Sequence, residues 1–143
     1  MMSEKFARMA KENKPEYFDI RNNPAALTDA EQAYFQENVA LVKNALGVEI
    51  PVYMFNQEIL PGSAANALGI HWMNANSKDE FITVDNYFIH ECYEAAFHGA
   101  FLLEEENLVS VLCHEIAHMR YRRHTKYHAN LTKKYINQVA AQA

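Results

Sequence analysis

His114, Glu115 and His118 stand in the order His-Glu-x-x-His, two imidazoles four residues apart with a carboxylate beside the first. At about 100° per residue an α-helix brings two such rings within roughly 40° of each other on one face, where both can reach a single ion. Glu115 falls on the near flank of that face, where it can take a proton from a water activated by the ion. The chemistry that suits this spacing is a metal centre with its own general base, and Zn2+ is the expected cofactor.

The pattern is short enough to arise by chance, so its surroundings decide. Leu108, Leu112, Ile116 and Met119 make an apolar stripe at helical spacing that does not overlap the histidine face. Glu104, Glu105 and Glu106 stand where such a helix begins and Arg120, Arg122 and Arg123 where it ends, the placement a helix dipole favours. Period, charge and motif together predict one helix over about 105 to 122.

A catalytic zinc ion commonly takes three protein ligands and keeps a position open, so one ligand remains to be found. No Asp or Glu occurs from Met119 to Ala143, which leaves His124 and His128 downstream. In an unbroken helix His124 would lie ~15 Å along the axis from His114, so the helix must end near Arg122 and the chain must fold back. Thr125 supplies an N-cap for a second helix with Tyr127, Leu131, Tyr135 and Val139 at four-residue spacing. His124 then sits at the mouth of that helix, facing the first two ligands. His128, one turn further on, reads as a packing residue or a support for the ligands, with ligation the lesser alternative.

The run HEIAHMRYRRHTKYH, followed by a closing helix, resembles the minimal zincins of the YgjP-like and WLM groups, relatives of SprT and Spartan, in which five residues separate the motif from a third His. The resemblance covers mainly residues 66 to 139. It implies His114, His118 and His124 as metal ligands, Glu115 as catalytic base, and a zincin-like peptidase. Two features depart from the pattern: His128 stands where these groups usually have Phe or Trp, and an upstream Arg-Trp-Gly-Ser-Cys signature is reduced to His71-Trp72. Metzincins share the histidine offset but need Gly where this chain has Tyr121, and a later Met that it lacks. Peptide deformylases use a cysteine ligand, for which Cys92 is the one counterpart, without that family's other signatures.

The elements that must position these residues follow from local signals. Residues 1–26 are polar, contain Pro15 and Pro24, and read as an N-terminal arm; residues 27–143 read as one domain. Thr28 with Glu31 forms a capping-box signature for a helix to Leu46 that carries Ala33, Phe35, Val39 and Val42, closed by Gly47. Val48 to Phe55 is rich in strand formers, with Pro51 confining the strand to a sheet edge or delaying it to Val52. Ala67 to Met73 and Phe81 to Asp85 flank a polar turn and predict a hairpin, and Ile89 to Leu103 predicts a helix weakened at Gly99. The expected class is α+β: a small antiparallel or mixed sheet packed on helices, with the metal motif on a late helix. The hairpin is the candidate edge for an extended peptide, with Gly69 allowing close approach and Trp72 or His71 able to line the cleft, though Trp72 reads first as a core anchor and His71 as a surface histidine.

Composition narrows the function. The two cysteines, Cys92 and Cys113, make neither a disulfide framework nor a zinc ribbon, and Cys113 is expected as a buried thiol. The charged N-terminus lacks an apolar leader core and no run approaches a membrane span, so a cytoplasmic protein without membrane association is expected. The net charge of −5 hides an asymmetry: six basic and no acidic residues follow His118, against seven basic and 18 acidic before it. This basic C-terminal region is a candidate contact for nucleic acid or an acidic partner, although cations around helix ends are commonly just solvated. The reading that unites these features is a zinc-dependent peptidase acting on a peptide or protein substrate, with Tyr121, Tyr127 or His71 as candidate oxyanion donors. The rival is a non-catalytic binding protein that keeps zinc as a staple, its site closed by His128, and uses the basic C-terminal region to dock a nucleic-acid or protein partner.

Overall fold

The computed structural model describes residues 27–57, 60, 62, 66–73, 80–99 and 106–142. The expected arm over residues 1–26 and the turn over 74–79 lie outside them. The described chain is α+β: helix α1 (Asp29–Leu46), strands β1 (Val52–Phe55), β2 (Gly69–Met73) and β3 (Glu80–Asp85), then helices α2 (Asn86–His98), α3 (Leu108–Ala117) and α4 (Lys126–Gln142). The sheet is mixed, in the order β1-β3-β2. β1 runs parallel to β3, and β2 pairs with it antiparallel, His71 opposite Ile82 and Gly69 opposite Val84.

Local chemistry sets the boundaries. Thr28 and Glu31 exchange side-chain and backbone hydrogen bonds at the start of α1, and Gly47 ends it in the left-handed region at φ 66°. Glu31 is buried and also contacts His90 Nδ1 on α2. Burial alone would raise its carboxyl, but the Thr28 amide and His90 outweigh that and hold it below the usual range. Of the expected core face, Phe35, Val39 and Val42 are buried whereas Ala33 is exposed. β1 begins at Val52 and not Val48, because Pro51 contributes only its carbonyl, which accepts from Ile82 N–H at 2.9 Å. α2 starts earlier than expected, since Asp85 ends β3 and caps the helix through Phe88 N–H, and it stops at His98 because Gly99 takes φ 66°.

The two faces of the sheet carry different loads. Met54, Ile82 and Val84 join Phe35, Val42, Phe88, Ile89, Leu112 and Ile116 in the main core beneath the helices. Phe55, Trp72 and Phe81 form a smaller cluster on the other side, with Leu60. There Trp72 Nε1–H donates to Thr83 Oγ1, whose hydroxyl donates to the fully buried Gln57. Neighbouring strand residues point to opposite faces, so Trp72 is an anchor of the second cluster and does not line the cleft, whereas His71 lies on the helix side. No helix among the described residues is long and apolar enough to cross a membrane.

Candidate metal centre

The motif helix is shorter than its sequence suggests. Asn107 caps α3 reciprocally with Ser110, and the helix ends at Ala117 with His118 as its C-cap, so the expected span of 105 to 122 is corrected to 108–117. Leu108, Leu112 and Ile116 are buried as expected, but Met119 is 39% exposed because the chain has already left the helix. Arg120 and Tyr121 amides close the last turn onto Ala117 O, and the backbone then reverses into α4. Thr125 Oγ1 accepts from His128 N–H, which gives α4 the N-cap that the sequence predicts. Along α4, Val139 and His128 are buried, Tyr135 packs on the core, and Tyr127 stays 59% exposed.

This reversal brings the histidines together. His124 Nε2 lies 3.2 Å from His114 Nε2 and 3.1 Å from His118 Nε2. One ring nitrogen holds either one proton or one lone pair, so it cannot serve both neighbours as a hydrogen-bond partner. Ligand nitrogens about 2.0–2.1 Å from a tetrahedral ion would stand roughly 3.3–3.4 Å apart, close to the observed spacing. His118 Nδ1–H donates to Tyr121 O at 2.9 Å, which fixes that ring and leaves the Nε2 lone pair free to ligate. Burial first, and the neighbouring histidines as well, push the His114 ring down to about 4. For His118, burial pushes the ring down to about 4 against the Tyr121 carbonyl. Both rings are therefore neutral at physiological pH, the form that binds a cation.

A second grouping shares two of these residues. His114, His118 and His128 each offer a ligand atom within 4.8 Å of the others, enough to form a metal site. His128 also has a structural task. His118 N–H bonds to Glu115 O and Ile116 O, leaving His114 O without the amide four residues on, and His128 Nε2–H fills that place at 2.9 Å. Its ring stacks on His118 with centroids 4.0 Å apart.

Glu115 is buried, with Oε2 4.0 Å from His114 Nε2. Burial, and secondarily Glu106, push its carboxyl up to about 8, while a hydrogen bond from the His71 amide acts in the opposite direction. That amide is available because of register. Asp85 N–H donates to Leu68 O, so the backbone groups of Gly69, His71 and Met73 alternate away from β3, on the outer edge of β2. Gly69 makes the approach possible: a Cβ there would stand 2.9 Å from Val111 Cγ1 and 3.3 Å from Glu115 Oε2. The close approach foreseen at Gly69 is thus made by the motif helix. The His71 ring donates from Nε2 to Glu80 Oε2 at 2.7 Å and lies near-parallel to His118, centroids 6.4 Å apart. Tyr121 and Tyr127, three residues either side of His124 in the chain, stack on each other. Cys92 and Cys113 are buried with thiols pushed up to about 12 by burial, which suits core packing and not ligation. Sequence reasoning missed Glu80 and the His71 amide, whose roles depend on strand pairing.

No protein-family model, curated protein or solved structure matches this chain.

Proposed function

We propose that the protein is a zinc-dependent peptidase, with His114, His118 and His124 as the ligands and Glu115 as general base. The observation that carries this reading is that His124 Nε2 lies 3.1–3.2 Å from the Nε2 atoms of both His118 and His114, with a buried Glu115 oxygen 4.0 Å from His114 Nε2. All-imidazole donors suit zinc, among other first-row ions, and three ligands leave a position open. When bound, the ion would polarise a peptide carbonyl and acidify a water molecule. The charge of a bound cation would favour the ionised form of Glu115, which burial disfavours in the metal-free protein. The carboxylate then accepts the water proton and hands it to the departing amine, so the proton is conserved and the peptide bond is exchanged for a carboxylic acid and an amine. The His71 amide holds Glu115 in orientation for both transfers.

Removal of metal by a chelator should abolish cleavage of an unfolded protein substrate, and zinc should restore it. Cleavage that persists in demonstrably metal-free protein overturns the reading.

The staple alternative draws on the His128 grouping, since a fourth imidazole would close the open position. His124→Ala is expected to weaken zinc retention far more than His128→Ala. The latter should mainly lower stability, by about 1 kcal/mol for the lost hydrogen bond to His114 O, with more lost in packing. Metal titration and thermal unfolding of the two variants decide the matter: the opposite order of zinc loss means that His128, not His124, is the third ligand.

A further inference from the structure

We propose that the turn joining α3 to α4 is a docking surface for acidic polypeptide, and that substrates carry Asp or Glu beside the cleaved bond. The second half rests on the peptidase reading; the first does not. The turn that carries His124 also carries Arg120, Arg122, Arg123 and Lys126, all exposed. Among the described residues no ion pair joins any of these four to a carboxylate, and none of the chain's acidic residues lies beyond His118.

Helix complementarity accounts for only part of this cluster. Arg120, Arg122 and Arg123 follow the C-terminus of α3, where cations are favoured, but Lys126 opens α4, where the dipole disfavours them and no acidic residue answers it. Four like charges within seven residues repel one another in the free protein, and an anionic partner relieves that repulsion.

The surface has shape as well as charge. Tyr121 and Tyr127 stack at 6.0 Å with 27° between their planes, bridging the two ends of the turn. Arg120 lies 5.6 Å from the centre of the Tyr121 ring and Lys126 Nζ 5.5 Å from that of Tyr127. The His118 to Tyr121 hydrogen bond ties this shelf to the ligand cluster. His124 lies between the two tyrosines in the chain, three residues from each. Polypeptide fits better than nucleic acid, because the chain before residue 119 carries seven basic against 18 acidic residues and would repel a long polyanion while tolerating a short acidic stretch.

The test uses the full chain carrying Glu115→Gln, metal-free and zinc-loaded, and fluorescence anisotropy with three labelled peptides that differ only in having Glu, Gln or Lys at alternate positions. The Glu peptide should bind roughly tenfold or more tighter than the Gln peptide, and added salt should weaken it. Arg122→Gln with Arg123→Gln should remove most of that preference, and Arg122→Glu with Arg123→Glu should reverse it, with circular dichroism and zinc content unchanged. Equal affinity for the Glu and Gln peptides overturns the proposal. So does preference for the Glu peptide that needs zinc and survives both double substitutions, since carboxylates would then be binding the ion alone. Tighter capture of single-stranded DNA than of a Glu peptide of equal charge overturns the choice of polypeptide. If the parent cleaves nothing yet these preferences hold, the peptidase reading fails and the docking surface stands.

Discussion

Glu115→Gln is expected to lower peptide hydrolysis by roughly 10²-fold or more while leaving zinc affinity almost unchanged. The amide keeps the size of the side chain but has no basicity with which to take the water proton. Glu115 is not among the clustered ligand nitrogens, so the metal should stay. Turnover and zinc content measured on the same preparation test this, and metal-dependent cleavage at the parent rate in the variant would sink the mechanism while sparing the metal site. The metal-free protein gives a second readout. Its Glu115 carboxyl is raised from 4.5 to about 8, so the folded state holds the proton more tightly than the unfolded state does. That contribution to stability is full below about 4.5 and is lost as the pH rises through about 8. Glutamine has nothing to ionise, and metal-free Glu115→Gln should gain stability over the parent progressively across this window in thermal unfolding.

His114→Ala and His118→Ala should each reduce bound zinc from one ion per chain to near none, because only two of the proposed ligands remain, too few to hold the metal against water and buffer. The effects differ in their side consequences. His118 is nearly buried between His71 and His128, so its truncation also opens packing, whereas the His114 ring is about one-third exposed and its loss is closer to a pure ligand deletion. Metal analysis after dialysis is sufficient, and full stoichiometric zinc in both variants would refute the site.

The parts of this centre legible in the sequence are those with short-range causes. The four-residue histidine spacing, the Thr28–Glu31 capping box and the Thr125 cap each depend on a few neighbouring residues. The fold-back that delivers His124 was required by distance, since a straight helix would have carried it out of reach. α3 ends earlier than helix propensity implies, since Arg120 and Arg122 are good helix formers, and the capture of His114 O by His128 from another helix is invisible to propensity. Trp72 and His71 illustrate the same limit: alternation puts them on opposite faces, but only the register with β3 decides which one meets the helices. Glu80 and the His71 amide belong to contacts between strand and helix, and no local pattern announces them.

The three converging nitrogens come from eleven consecutive residues, His114 to His124, while the carboxylate beside them is oriented by an amide 44 positions upstream. On the proposed reading, affinity for the ion is a property of one helical hairpin, and reactivity is a property of the whole fold. Drift at Gly69 or in the strand register would uncouple the two, leaving a chain that still captures metal and no longer aims its base. If the peptidase reading holds, a descendant that kept the histidines after losing hydrolysis would be most easily reached by that route, through the sheet and not through the proposed ligands.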